Sequence, residues 1–166
     1  MRFWRNWGPV LFVWLAIMTG LYFGFSWFMS TQQTPNKVET LSGSVLELQR
    51  SRDGHFRLEG RINDHVVPML IDTGASGVSM DVSLARRLGL PSDGPSVTLT
   101  TANGVVEGYE TEVETLRLGD IVIHNLTVTV SPAFGNPDEV LLGMNALSHL
   151  SITMQGDQLR LSVPTP

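Results

Sequence analysis

Hydrophobic and polar positions divide the chain into three unlike stretches. From Gly8 to Met29 no residue is charged and most are large and apolar. A helix of about 22 residues at about 1.5 Å rise per residue is about 33 Å long, enough to cross a bilayer core of about 30 Å. Ser30 to Ser44 is polar, with Gln32, Gln33, Thr34, Pro35 and Asn36, and reads as a linker. Beyond it the pattern changes to short alternating runs. Ser44–Arg50 and His55–Ile62 alternate around Asp53-Gly54 and predict a hairpin. Asn63-Asp64 is a second turn, leading into a strand at Val66–Ile71. A short helix is predicted over Asp81–Leu88, capped by Asp81, with Leu84, Ala85 and Leu88 on one face and Gly89 at its end. Strands are predicted at Ser96–Thr101, Val105–Leu118 (with Glu107, Glu110, Glu112 and Glu114 facing water) and Ile121–Val130. Asn103-Gly104 and Gly119-Asp120 are the turns between them. Ser131–Glu139 reads as a loop, Val140–Gly143 as a short apolar strand and Met144–Leu150 as a helix. A last hairpin, Ser151–Met154 and Gln158–Val163, turns at Gly156-Asp157. Many short strands with one or two short helices argue an all-β, closed or nearly closed barrel.

Composition changes this picture in few places. The 166 residues suffice for one domain with an appendage. There is no cysteine, so disulfides, Cys-ligated metals and a Cys nucleophile are excluded. The net charge is −5 with no basic patch, which argues against a nucleic-acid partner. The four histidines are scattered without metal-ligand spacing, and no metal or cofactor is expected. Arg2 and Arg5 precede the apolar stretch, and Trp4, Trp7 and Trp27 sit at its ends as interfacial anchors would. A core helix would need a polar face, and a cleaved signal peptide a shorter apolar region with a small-x-small site. An uncleaved anchor is therefore expected, with the N-terminus cytoplasmic and the remainder exported. The expected organisation is residues 1–7 cytoplasmic, 8–29 membrane-spanning, 30–44 linker and 45–166 folded domain.

One stretch carries chemistry. In Val66-Val67-Pro68-Met69-Leu70-Ile71-Asp72-Thr73-Gly74-Ala75-Ser76-Gly77 a strand-like apolar run leads into one carboxylate, a hydroxyl residue and a glycine. An isolated charge at the end of a buried run is costly unless it is paired, hydrogen-bonded or functional. A strand ending in an Asx turn would give the same letters. Other catalytic signatures, G-x-S-x-G, S-x-x-K and G-x-x-x-x-G-K, do not occur.

Val67 to Ser76 resembles the active-site segment of retropepsin-like aspartic proteases. Leu141-Leu142-Gly143-Met144-Asn145-Ala146-Leu147 resembles that fold's second signature, two apolar residues and a glycine before a helix. Thr101-Ala102-Asn103-Gly104 occupies the flap's place in chain order. Ala85-Arg86-Arg87-Leu88-Gly89-Leu90 and the Thr-Ala-Asn-Gly flap resemble the bacterial branch, single-pass membrane proteins with one such domain. The resemblance covers residues 45–163 and implies an anchored aspartic endopeptidase of a bacterial inner membrane. It makes Asp72 catalytic, with Thr73, Gly74 and Ala75 supporting the catalytic loop. Thr101, Ala102, Asn103 and Gly104 would form a flap over a peptide, and Leu141, Leu142 and Gly143 the floor beneath the loop.

Peptide hydrolysis by carboxylates needs two that share one proton. This chain has one Asp-Thr-Gly and no internal repeat, so a homodimer that sets Asp72 against its symmetry mate is expected. An acidic to mildly acidic optimum follows, since one of the pair must keep its proton. The alternative is a non-catalytic domain of the same fold that binds peptides or dimerises at the membrane surface.

Overall fold

The structure, a computed structural model, describes residues 7–30, 45–101, 104–132 and 136–164. The chain divides into two compact units, 1–34 and 35–166. In the first, α1 (Trp7–Ser30) is one continuous helix. Its Val10–Phe28 portion is exposed throughout, and is long and apolar enough to cross a membrane by length and composition. Linker residues 31–44 lie outside the described residues.

The second unit is built from β1 (Val45–Gln49), β2 (Phe56–Ile62), β3 (His65–Ile71), β4 (Val78–Asp81), α2 (Val82–Arg87), β5 (Ser96–Thr101), β6 (Gly104–Leu118), β7 (Ile121–Ser131), β8 (Val140–Leu142), α3 (Met144–Leu147), β9 (Ser151–Gln155) and β10 (Gln158–Ser162). Six strands in the order β2-β3-β8-β4-β7-β6 close into a barrel, because β2 also pairs with β6 through Arg61↔Arg117 and Ile62↔Leu116. The β2–β3 turn has Asn63 and Asp64 at φ 44° and 72°. Asn and Asp tolerate this left-handed region, and two such residues in succession match the twist of a hairpin. Asn63 also locks the closure. Its N–H donates to the Thr115 carbonyl at 3.0 Å, and its side-chain oxygen accepts from the Thr115 N–H at 3.1 Å. Leu58, Met69, Val78, Met80, Val113, Leu116, Val128, Val140 and Leu142 fill the interior with no exposed surface. Each such side chain contributes roughly 1.5–3 kcal/mol by leaving water.

The expected pairing of the first two strands is corrected by the structure. β1 runs antiparallel to β10 along its whole length, in the three-stranded sheet β1-β10-β9, while beyond its end Arg50 bridges Phe56 and the Ser51 N–H donates to the His55 carbonyl at 2.8 Å. The reason is burial. Leu46 and Leu48 face Leu161 and Leu159 in this register, and all four are buried. An Arg160–Glu47 ion pair joins register partners on the outer side of that sheet. Two further differences are small. Val78–Asp81, where no strand was expected, pairs in parallel with β7. The second helix is a single turn, Met144–Leu147. Asp81 caps α2 as expected, its side chain accepting from the Ser83 N–H at 2.7 Å.

Candidate active site

Asp72 directly follows β3, which ends at Ile71. Beside β3 runs β8, parallel, with Met69, Leu70 and Ile71 opposite Val140, Leu141 and Leu142. On its other side β8 touches β4, antiparallel, at Ser79↔Leu141. Thus the segments before and after Asp72-Thr73-Gly74 both lean on the same three-residue strand. The Asp72 N–H donates to the Leu142 carbonyl at 3.1 Å, which continues the β3–β8 ladder by one bond into the loop.

The loop folds on itself at the carboxylate. The Gly74 N–H donates to Asp72 Oδ1 at 2.8 Å, and the Ala75 N–H to the Asp72 carbonyl at 3.3 Å. A Cβ at Gly74 would lie 3.1 Å from Oδ1, tighter than ordinary contact, so a bare backbone suits this approach. Asp72 itself is half-buried, while Thr73, Gly74 and Ser76 are exposed. Among the described residues, no hydrogen bond reaches Oδ2. Among the described residues the carboxylate is therefore anchored through one oxygen.

The three residues expected as the floor are on or directly after β8. Leu141 is half-buried; Leu142 and Gly143 are buried. A Cβ on Gly143 would meet the Gly77 carbonyl oxygen at 2.2 Å, its carbon at 2.5 Å and its nitrogen at 2.8 Å. Two backbone segments touch there and only hydrogen fits between them. Of the residues expected to form a flap, Thr101 closes β5 opposite Gly104 at the start of β6, and Gly104 is exposed with φ 118°. Ala102 and Asn103 lie outside the described residues. Among the described residues no three His, Asp or Glu side chains gather as a metal-binding group.

Sequence reasoning missed Asn145. Its Oδ1 accepts from the Val78 N–H at 2.9 Å and its Nδ2 donates to the Thr127 carbonyl at 2.8 Å. Its own N–H donates to the Ser76 carbonyl at 3.0 Å, and the Met144 N–H to the Ala75 carbonyl at 2.8 Å. One residue, through its backbone and its side chain, thus joins the far end of the Asp72 loop to β4 and β7. Its place two residues after Gly143 was a signal, but an Asn near the start of a helical turn also reads as a cap. Asn145→Ala leaves two backbone groups without partners and is expected to cost about 2–3 kcal/mol. Denaturant midpoints of the two proteins measure this. Asn145→Asp should recover little, because it keeps the acceptor for Val78 but sets a second oxygen against the Thr127 carbonyl.

The comparisons with known proteins agree with this geometry. A family model described as "gag-polyprotein putative aspartyl protease" matches residues 58–149, more than half of the chain. An uncharacterized protein from the cobV 5' region of Sinorhizobium sp is 31% identical over 163 residues, 91% of this chain and 70% of that protein. An uncharacterized protein of Rickettsia prowazekii (strain Madrid E) is 29% identical over 145 residues, 81% of this chain and 60% of that one. The chain thus spans less than two thirds of the length of this second relative. The crystal structure of a retropepsin-like aspartic protease from Rickettsia conorii superposes with a TM-score of 0.62 at 27% identity, covering 72% of this chain and 90% of that one. A closed six-stranded barrel that sets Asp-Thr-Gly over an apolar-apolar-glycine strand, together with these matches, makes the chain a member of the retropepsin-like aspartic protease family.

Proposed function

We propose that the protein is an aspartic endopeptidase that works as a homodimer, tethered by residues 8–29 to a bacterial inner membrane. Residues 1–7 are then cytoplasmic, residues 30–44 a tether, and residues 45–166 a protease domain on the periplasmic side. The observation that carries the reading is the Asp72 carboxylate: half-buried, anchored through Oδ1 alone, in a loop whose Thr73, Gly74 and Ser76 are exposed. Such a loop has room for a second copy of itself. With the partner's Asp72 at about 3 Å, the two carboxyls cannot both ionise and one proton is shared.

The chemistry follows from that pair. A water lies between the two carboxyls. The ionised one takes a proton from it as the oxygen attacks the peptide carbonyl carbon; the protonated one gives its proton to the carbonyl oxygen. Collapse of the tetrahedral diol breaks the C–N bond, and a proton passes to the leaving nitrogen. Two carboxyls and a water complete the cycle. Thr73 supports the loop across the twofold axis, Gly74 and Ala75 shape it, and Leu141, Leu142 and Gly143 hold it from below. Thr101, Ala102, Asn103 and Gly104 close over an extended peptide, which pairs with the chain as an added strand. Confinement to a membrane raises the effective concentration of the two copies. The exposed apolar side chains of Val10–Phe28 and the arginines before them support the anchor and its orientation.

The test is a peptide-library digest by the full-length protein in detergent, from acidic to neutral pH, with Asp72→Asn beside it. Cleavage by wild type that is blocked by a transition-state mimic of aspartic proteases and lost in the variant supports the reading. A folded wild type that cuts no peptide at any pH leaves the non-catalytic binding module as the better account.

A further inference from the structure

The face of the barrel that carries Asp72 also carries a buried ion pair, Arg57 with Glu139, joined at the surface by Asp53. Arg57 on β2 lies opposite Leu70, and Leu70 lies opposite Leu141. Partners across strands share a face, and positions two apart along a strand do too. Leu70 and Asp72 are two apart, so Arg57, Leu70, Leu141 and the carboxylate belong to one side. Arg57 is 5% exposed and Glu139 7%. Arg57 Nε donates to Glu139 Oε1 at 2.8 Å and Nη1 to Asp53 Oδ2 at 2.6 Å. Burial pushes the Asp53 carboxyl up, but the His55 N–H, the Arg57 hydrogen bond and the neighbouring positive charge outweigh it and hold it below the usual range.

A buried pair of this kind adds little net stability compared with apolar packing; its best-attested use is to specify one arrangement. Here the arrangement is that of β8. Glu139 immediately precedes β8. The segment before it is held at a second point by Arg87 at the end of α2, which pairs with Asp138 and donates to the Pro137 carbonyl at 3.4 Å. β8 has only three residues, and a parallel ladder that short does little to fix its own position. Yet its last carbonyl, on Leu142, holds the Asp72 N–H. The planar guanidinium fork, bonded to Glu139 and Asp53, restricts where Glu139 can sit.

We propose that Arg57, acting through Glu139, is a positioning residue for Asp72: the buried pair sets where β8 lies along β3, and so where the Leu142 carbonyl holds the catalytic loop. The kinetic half of this proposal rests on the peptidase reading above; the structural half does not.

The experiment uses the full-length protein and reads two quantities. One is hydrogen exchange at the Asp72 amide, measured against Val113 and Leu116 in β6. The other is kcat and KM on a cleaved peptide. Arg57→Lys keeps the charge and loses the fork, and Glu139→Gln keeps the shape and loses the charge. Arg57→Met removes the cation, and Arg57→Met with Glu139→Leu replaces the pair by apolar packing. In the single variants the Asp72 amide should exchange about tenfold faster or more while the β6 amides hold, and kcat should fall about tenfold with KM within about threefold. The apolar double variant should regain thermal stability but neither amide protection nor kcat. Should Arg57→Met fail to fold, Glu139→Gln and Arg57→Lys supply the same readings. Unchanged Asp72 protection in the folded single variants overturns the proposal, as does recovery of both protection and kcat in the double variant. Lost protection in a protein whose wild type cuts nothing upholds the positioning of the loop and sinks the peptidase reading instead.

Discussion

Asp72→Asn is expected to abolish peptide cleavage, by at least about 10²-fold in kcat, while leaving the fold intact. The asparagine side-chain oxygen can still accept from the Gly74 N–H, the one hydrogen bond that the carboxylate makes with the described residues. The loop therefore keeps its internal anchor, and the melting temperature should stay within a few degrees. What is lost is the ability to take a proton from water. A mixing experiment sharpens this. When wild type and Asp72→Asn are mixed in equal amounts and allowed to exchange partners, about a quarter of the dimers are wild type on both sides. Activity should fall to about that fraction of the activity of wild type at the same total concentration. Independent active monomers would retain about half. A result near one half would refute the shared site even if Asp72 proved essential.

Gly143→Ala is expected to destabilise the domain strongly. Its backbone, φ −95° and ψ −174°, is open to any residue, so the requirement is for space alone. The added carbon would lie 2.2 Å from the Gly77 carbonyl oxygen, and the atoms in the way are backbone atoms of the Asp72 loop. No rotamer relieves that contact; the two segments must part. Overpacking of this kind costs about 3 kcal/mol or more when nothing can yield, roughly 10 °C in melting temperature for a domain of this size. Peptidase activity should drop about 10²-fold, because β8 and the loop move together and a shift of about 1 Å is enough. Gly77→Ala is the control. Its Cβ would meet only the Asn145 side chain, at 3.6 Å and beyond, which is ordinary contact. It should stay within about 1 kcal/mol of wild type. Equal losses in the two variants would show that the contact between the segments is not what the glycine protects.

Much of the barrel was legible because its signals are local. Asn63-Asp64 takes the left-handed turn that its side chains tolerate, Gly119 and Gly156 take theirs, and the apolar run before Asp72 is a strand because it is buried on one face and covered on the other. What was not legible depends on partners distant in the chain. The alternation in Val45–Gln49 gives β1 a buried face, but nothing nearby says that Leu159 and Leu161 cover it. Val78–Asp81 is too short to show a period and becomes a strand only because β7 and β8 offer it edges. Arg57 stands at an outward position of an alternating strand, yet it is buried there and paired with Glu139, a residue distant in the chain. Asn145 is an ordinary polar letter until Val78 and Thr127 are brought to either side of it. For the site itself, the acid and its turn could be read directly. The residues that hold them in place could not, since each acts on a segment from another part of the chain.

The dependence of the Asp72 loop on β8 has a temporal consequence. A ribosome releases the aspartate well before Leu142, Gly143 and Asn145, which pack against its loop. Until those last residues emerge and thread between β3 and β4, the acid hangs on an unfinished hairpin. A nascent molecule, or one cut short before Leu142, therefore carries the acid in a loop that has lost its backbone support from β8.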